Sequence, residues 1–153
     1  MKNPFMNILK GKIVIVGIGN PLRGDDAFGP ALIERLRGKR GIVCIDAGSS
    51  PENYTGKIVQ ENPDVLLLVD AVDLGRQPGE YEILEKDAII KSGFTTHDMS
   101  PRMCIEYLES QTTAPIYMLG IQPHNISLGE GLSDQVEKSL EEIIKFIMEA
   151  LRA

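Results

Sequence analysis

The sequence predicts an α/β fold, a three-layer sandwich in which helices cover both faces of a mostly parallel, twisted sheet of about five strands. The first supporting observation is three apolar runs of four or five residues, at positions 13–16, 42–45 and 65–69, each bounded by Gly, Pro or Asp. Such runs are typical of strands buried on both faces of a parallel sheet. The second is that helical patterns alternate with the strands, which favours crossover helices.

Two further strands are predicted from weaker patterns. Residues 80–84 alternate between polar and apolar side chains, which is typical of a half-exposed strand. Residues 116–121 form a mixed apolar run. These two segments complete the predicted sheet.

Three helices are predicted between and after the strands. Phe28, Leu32 and Leu36 recur every four residues and indicate the first helix. The second begins after Ser100–Pro101, because serine is a favourable N-cap and proline fits the first helical position. The last begins at Ser133 and places a continuous apolar face opposite Glu and Lys.

The chain shows no internal division. It contains no repeat, low-complexity tract or linker, so residues 1–153 are expected to form a single domain. Residues 57–63 and 74–79 are predicted to be turn-rich connections.

The bulk properties argue against several classes of protein. With 16 Lys+Arg against 22 Asp+Glu, the formal net charge is −6, which disfavours nucleic-acid binding. No apolar stretch approaches the roughly 20 residues of a membrane span, and no signal-peptide core is recognisable, so a cytoplasmic protein is expected. Cys44 and Cys104 are far apart in the chain and are predicted to be small core residues rather than metal ligands.

Acidic residues follow all three apolar runs. The first run leads into a glycine-rich loop ending at Asp25–Asp26, the second ends at Asp46, and the third ends at Asp70. In an open α/β sheet, ligands bind beyond the carboxyl ends of the strands. A phosphate site is disfavoured, because Leu22 replaces the third glycine of a dinucleotide fingerprint and two carboxylates would repel phosphate.

A cation site is the favoured interpretation of these acids. His97 immediately precedes a predicted helix N-terminus, whose positive end favours the neutral, ligating form of the imidazole. Each acid also has an ordinary alternative: Asp25 or Asp26 could cap the following helix, and Asp46 or Asp70 could end a strand in a turn. His124, which follows Pro123 in a turn, is expected to be a surface residue.

Several motifs together resemble the hydrogenase maturation proteases in order and spacing. The long motif Gly-Ile-Gly-Asn-Pro-Leu-Arg-Gly-Asp-Asp-Ala-Phe-Gly-Pro at 17–30 is highly specific. Shorter matches follow at 46–48, 69–71, 96–97 and 120–123. Asp26, with the Thr-Thr-His and Gly-Ile-Gln-Pro sequences, is similar to the subgroup serving formate-hydrogenlyase (hydrogenase 3) systems. Ala27 departs from the glycine that many relatives carry.

The resemblance implies a monomeric, cytoplasmic endopeptidase, aspartic-type or metal-dependent, which trims the C-terminal extension of a nickel-loaded [NiFe] hydrogenase large-subunit precursor. It implies three metal-binding residues, Asp26, Asp70 and His97, which are also the expected catalytic residues. Nickel would be supplied by the substrate and would serve as the recognition element. In a second mechanism that fits the same ligands, they hold a metal that polarises the scissile carbonyl or activates a water. The alternative is a nickel-sensing assembly factor that docks on the large subunit without cleaving it. Asp25, Asp46 and Asp73 are expected to shape the cleft or to orient the ligands, and not to be catalytic.

Overall fold

The computed structural model describes residues 2–94, 96, 98–129 and 131–153. These described residues form five strands: β1 (Ile13–Ile18), β2 (Ile42–Gly48), β3 (Val65–Ala71), β4 (Tyr81–Leu84) and β5 (Ile116–Ile121). They also form five α-helices: α1 (Phe28–Leu36), α2 (Thr55–Gln60), α3 (Lys86–Ser92), α4 (Pro101–Gln111) and α5 (Asp134–Arg152). Short 3-10 helices at Gly24–Ala27 and Pro51–Tyr54 precede α1 and α2.

The strands form one sheet in the order β2-β1-β3-β5-β4. The pairs β1–β2, β1–β3 and β3–β5 are parallel, and β4 pairs antiparallel with β5 at one edge. The predicted mostly parallel, five-stranded sheet is therefore confirmed. Every residue of β1 is buried, whereas β4 is only partly buried, as its alternating pattern predicts.

Helices cover both faces of the sheet and make two separate cores. On one face, Phe28 and Leu32 of α1 and Leu140 and Ile143 of α5 pack against Ile15 of β1 and its neighbours. The opposite core has members on α2, α3 and α4, listed here as Ile58, Ile89, Cys104, Ile105 and Leu108. Alternate residues of β1 and β3 point into opposite cores, which is why their apolar runs are continuous.

Two short helices differ from the sequence prediction. α2 covers Thr55–Gln60, so the prediction of a turn-rich connection over 57–63 is wrong for its first half. α3, at Lys86–Ser92, had no predicted counterpart. Each has one fully buried residue, Ile58 or Ile89, and is too short to display a helical period. Both helices are therefore held by packing on the sheet.

The last helix has the strongly amphipathic pattern that the sequence predicts. α5 runs for 19 residues and buries Val136, Leu140, Ile143, Ile147 and Ala150 against the sheet. Glu and Lys fill its other side. Within the part of the chain that the structure describes, no helix has both the length and the apolar character needed to cross a membrane.

Candidate functional site

The acids gather where the strand order reverses. The chain passes from β1 to β2 on one side and then to β3 on the other side of β1. In open α/β sheets, such a switch point opens a crevice at the carboxyl ends of the two diverging strands. The glycine-rich loop leaves β1 at this edge, and Asp70 lies near the end of β3. The topology thus brings together the two acids that the sequence singles out.

Glycines allow the loop after β1 to fold tightly against this edge. Gly19 has a φ of +143°, and a β-carbon there would lie 1.9 Å from the carbonyl oxygen of Asp26. At Gly29, a β-carbon would lie 2.3 Å from the Ile18 carbonyl oxygen and 2.9 Å from that of Val69. Only glycine permits such close approach at these two positions. The loop and the start of α1 are therefore pressed onto β1 and β3.

Asp26 lies in the Gly24–Ala27 3-10 helix and is partly exposed. The backbone N–H of Asn20 donates a hydrogen bond of 2.8 Å to its Oδ2 atom. Among the described residues, the Oδ1 atom accepts no hydrogen bond. Asp26 does not cap α1 with its side chain, because the N-cap position belongs to Ala27. Its carboxylate is therefore held in place through Oδ2.

Asp70 has a different environment on the central strand. It is fully buried, at 0% exposure, and it is paired in register with Gly120 of β5. It lies within β3 rather than in a turn after it, so the ordinary alternative for this acid is wrong. Asp70 is therefore held in a fixed, water-excluded position at the carboxyl edge of the sheet.

Asp25 has a role that the sequence analysis missed. Its carboxylate is fully buried and accepts hydrogen bonds from the backbone N–H groups of His124, Asn125 and Ser133, at 2.8, 3.2 and 2.7 Å. The Ser133 hydroxyl also lies 2.9 Å from its Oδ2 atom. Asp25 thus joins the loop after β5 and the start of α5 to the glycine-rich loop.

This network also changes the role predicted for Ser133. The residue occupies the N-cap position of α5, as predicted, but its side chain makes no capping hydrogen bond. Ser100, by contrast, caps α4 in the expected way, since its hydroxyl oxygen accepts a hydrogen bond from the backbone N–H of Met103 at 3.1 Å. The long-range bond to Asp25 takes the place of the local cap.

The other polar residues at this edge have local roles. Asp46 and Asp73 are exposed, and each accepts a hydrogen bond from a backbone N–H two residues later, at Gly48 and Gly75. Gln122, another residue whose role sequence reasoning missed, accepts hydrogen bonds from Leu74 and Arg76 and holds the loop after β3. His124 is exposed, as predicted.

His97 lies outside the described residues, so its expected role stays a prediction. Its neighbours Thr96 and Asp98 are both held by hydrogen bonds. The Thr96 hydroxyl donates to the Met99 carbonyl oxygen, and the Asp98 N–H donates to a carboxylate oxygen of Glu52 at 2.7 Å. The predicted helix that follows is present as α4.

The donor set can be compared with what a metal ion requires. Among the described residues, no group of three His, Cys, Asp or Glu side chains is arranged to hold a metal. Asp26 and Asp70 therefore offer two carboxylates, and a complete ligand set needs His97 or groups from a bound partner. The carboxylates suit a hard or borderline cation.

Neither cysteine is suited to nucleophilic chemistry. Burial raises the pKa of Cys104 to about 11, and the nearby Glu52 carboxylate adds to the shift. Burial also raises the pKa of Cys44, although Arg37 opposes that shift. Since the thiolate is the nucleophile, a raised pKa works against nucleophilic chemistry at either thiol. The prediction that Cys104 is a core residue is confirmed, whereas Cys44 is only half-buried.

Comparison with known proteins identifies the family. A family model described as hydrogenase maturation protease matches residues 30–150. The chain belongs to the hydrogenase maturation protease family. The resemblance noted in the motifs is thereby confirmed, and the family is one of peptidases.

Individual members of the hydrogenase maturation protease family are similar over most of the chain. The hydrogenase 3 maturation protease of Escherichia coli K12 is 35% identical over 133 residues, covering 85% of each protein. A putative hydrogenase maturation protease from Methanocaldococcus jannaschii is 31% identical and covers 99% of this chain and 96% of that relative.

The fold agrees with solved structures of the family. The crystal structure of a [NiFe] hydrogenase maturation protease from Thermococcus kodakarensis KOD1 superposes with a TM-score of 0.84 at 34% identity. The match covers 97% of this chain and 96% of that protein. The predicted α/β sandwich is therefore also the fold of this protease.

Proposed function

We propose that this protein is an endopeptidase that removes the C-terminal extension of a nickel-loaded [NiFe] hydrogenase large-subunit precursor. The nickel belongs to the substrate and acts as the recognition element. Asp26, Asp70 and His97 bind it, and the enzyme works as a cytoplasmic monomer. In this proposal, a precursor without nickel lacks the group that the carboxylates recognise.

One observation carries the proposal: Asp26 and Asp70 lie at the carboxyl edge of the sheet, where its strand order reverses. This is where α/β proteins bind their ligands. Membership of the hydrogenase maturation protease family supplies the reaction class. Carboxylate donors at this edge suit a hard or borderline metal ion such as the substrate's nickel.

The two acids have complementary properties for this task. Asp26 is partly exposed, and its Oδ1 atom accepts no hydrogen bond from the described residues. It can therefore bind the substrate's nickel from the surface. Asp70 is buried on a rigid central strand, so its carboxylate position is fixed before substrate binds. A fixed carboxylate at the cleavage site can also accept a proton from an attacking water. Hydrolysis by water is therefore the chemistry that this carboxylate supports.

The test is a processing assay on the purified large-subunit precursor, with and without nickel, read by mass spectrometry. Wild-type protein should shorten the precursor by a C-terminal peptide only when nickel is present. The Asp26→Ala variant should leave the precursor intact under both conditions. A shortened precursor in the absence of nickel would contradict nickel recognition while leaving the peptidase activity in place.

The same reaction mixtures, analysed also by gel filtration, distinguish the proposal from the alternative function, a nickel-sensing assembly factor. Such a factor would form a nickel-dependent complex with the precursor, detectable by gel filtration, without any loss of precursor mass. That result would overturn the endopeptidase proposal and retain the role of Asp26 and Asp70 in sensing nickel.

A further inference from the structure

Three exposed aliphatic side chains lie on two adjoining loops beside Asp26. Leu22 is 67% exposed, Ile126 is 54% exposed and Leu128 is 69% exposed. Leu22 belongs to the glycine-rich loop after β1, and the other two belong to the loop after β5. Neighbouring exposed aliphatic residues on a rigid surface mark an interaction site more often than scattered ones do.

The two loops are fastened to each other rather than being separate mobile tips. The Gly129 N–H donates to the Leu22 carbonyl oxygen at 2.8 Å, and the Asp25 N–H donates to the Asn125 carbonyl oxygen at 2.7 Å. The buried Asp25 carboxylate then binds the N–H groups of His124 and Asn125. The apolar side chains are thus presented by backbone that is already ordered, which lowers the entropic cost of binding.

Each loop is also stiffened internally by an asparagine. The Leu22 N–H donates to the Asn20 side-chain oxygen at 2.9 Å, and the Ser127 N–H donates to that of Asn125 at 2.8 Å. The Asn20 backbone N–H in turn binds Asp26. Asn20 therefore links the loop that carries Leu22 to Asp26, the carboxylate that we propose to bind the substrate's nickel.

The charge of this surface differs from that of the whole protein. Arg23, directly after Leu22, is exposed, and it makes no ion pair with any of the described residues. The net charge of the chain is −6. A guanidinium that has no ion pair among the described residues, beside aliphatic side chains, is suited to a partner that carries both apolar groups and a carboxylate.

We propose that Leu22, Arg23, Ile126 and Leu128 form the docking surface for the polypeptide of the large-subunit precursor beside its cleavage site. The bound segment is extended, places aliphatic side chains on the three apolar residues, and offers a carboxylate to Arg23. This inference rests on the proposed function, because it assigns a second contact to the same substrate. Nickel identifies the loaded precursor, and this surface identifies the polypeptide around it.

The test measures kcat and KM for processing of the nickel-loaded precursor, and its binding by biolayer interferometry. The Leu22→Ser/Leu128→Ser double variant should raise KM and Kd about tenfold, a loss of about 1.4 kcal/mol, with kcat changed less than about twofold. Arg23→Gln should raise KM about fivefold and should weaken its dependence on salt, since a charge pair is removed. A purely structural role would leave the salt dependence as it is.

The matched control is Met103→Ser/Tyr107→Ser on α4, where the side chains are 55% and 41% exposed. It removes a similar amount of exposed apolar surface and should leave KM unchanged. All variants should melt within about 2 °C of wild type, because exposed substitutions change stability little.

The outcomes separate this inference from the proposed function. If wild type processes the precursor and the double variant does so with unchanged KM and Kd, the docking surface is overturned and the peptidase proposal stands. If wild type does not process the precursor, the peptidase proposal fails, and the binding data alone decide the docking surface. Loss of self-association in the double variant, with unchanged KM, would instead assign the surface to a second copy of this chain.

Discussion

Asp25 and Asp26 are adjacent in sequence, yet the fold gives them opposite surroundings. Asp25 is fully buried, and its carboxylate accepts hydrogen bonds from three backbone N–H groups and one hydroxyl. Asp26 is partly exposed and accepts one hydrogen bond, from Asn20, among the described residues. Both oxygens of the Asp25 carboxylate accept hydrogen bonds within the protein, whereas one oxygen of Asp26 accepts none from the described residues. Stability and recognition are thus divided between two neighbouring, chemically identical side chains.

The difference has a clear physical cause. Desolvation of a carboxylate is offset only when hydrogen bonds replace its water, and Asp25 has such a set of donors. The loop after β5 and the start of α5 supply those donors, which explains why Asp25 cannot also bind a substrate. Asp26 keeps partial solvent access and, among the described residues, an Oδ1 atom that accepts no hydrogen bond.

The largest expected effect comes from Asp26→Asn. Asparagine keeps an oxygen for the Asn20 N–H but removes the charge, so processing of the nickel-loaded precursor should slow about 1,000-fold, ~4 kcal/mol in the barrier. The melting temperature should stay within about 2 °C of wild type. Single-turnover mass spectrometry and differential scanning calorimetry check the two parts. Asp46→Asn, an exposed acid at the same edge of the sheet, is the control and should process at the wild-type rate.

Asp25→Asn should show the reverse pattern. The amide nitrogen would face backbone N–H donors, and the buried charge-assisted hydrogen bonds would be lost, at a cost of about 3 kcal/mol in the free energy of unfolding. The melting temperature should fall by about 10 °C. The protein that remains folded at low temperature should still require nickel for processing. An unchanged melting temperature would contradict the anchoring role of Asp25.

The smallest effect concerns Ser133. Its hydroxyl bond to the buried carboxylate makes Ser133→Ala cost about 1.5 kcal/mol in urea unfolding, compared with about 1 kcal/mol for the ordinary cap Ser100→Ala. In the Asp25→Asn background, the Ser133→Ala cost should shrink, whereas the Ser100→Ala cost should add unchanged. Equal costs for Ser133→Ala in both backgrounds would show that the hydroxyl and Asp25 are not coupled.

Much of the fold could be predicted from local sequence. β1, β2 and β3 come from continuous apolar runs, and β4 and β5 come from weaker patterns. α1, α4 and α5 come from helical spacing and from Ser100–Pro101. α2 and α3 could not be predicted, because each is about two turns or less and depends on contacts with the sheet. The motif resemblance was sufficient to indicate the protease family, whereas the roles of Asp26, Asp70 and His97 stay predictions.

The candidate site was only partly predictable. Local sequence places Asp25, Asp26 and Asp70 beyond or near the ends of strands. It does not show which of them binds a ligand, since each has the same side chain and a similar glycine-rich or apolar setting. The signal that separates them lies far away in the chain: the N–H groups of His124 and Ser133 that bind Asp25 are 99 and 108 positions distant. Gln122 likewise binds Leu74 across 48 positions.

The sequence by itself therefore determined the strands, the long helices, the motif loop and the residue types available for chemistry, because these depend on spacing and side-chain character within a few residues. The tertiary structure decided the order β2-β1-β3-β5-β4, the meeting of the first and third strand ends, and which aspartate is sealed inside. Burial and long-range hydrogen bonding are properties of the folded arrangement, and identical carboxylates acquire different functions only through them.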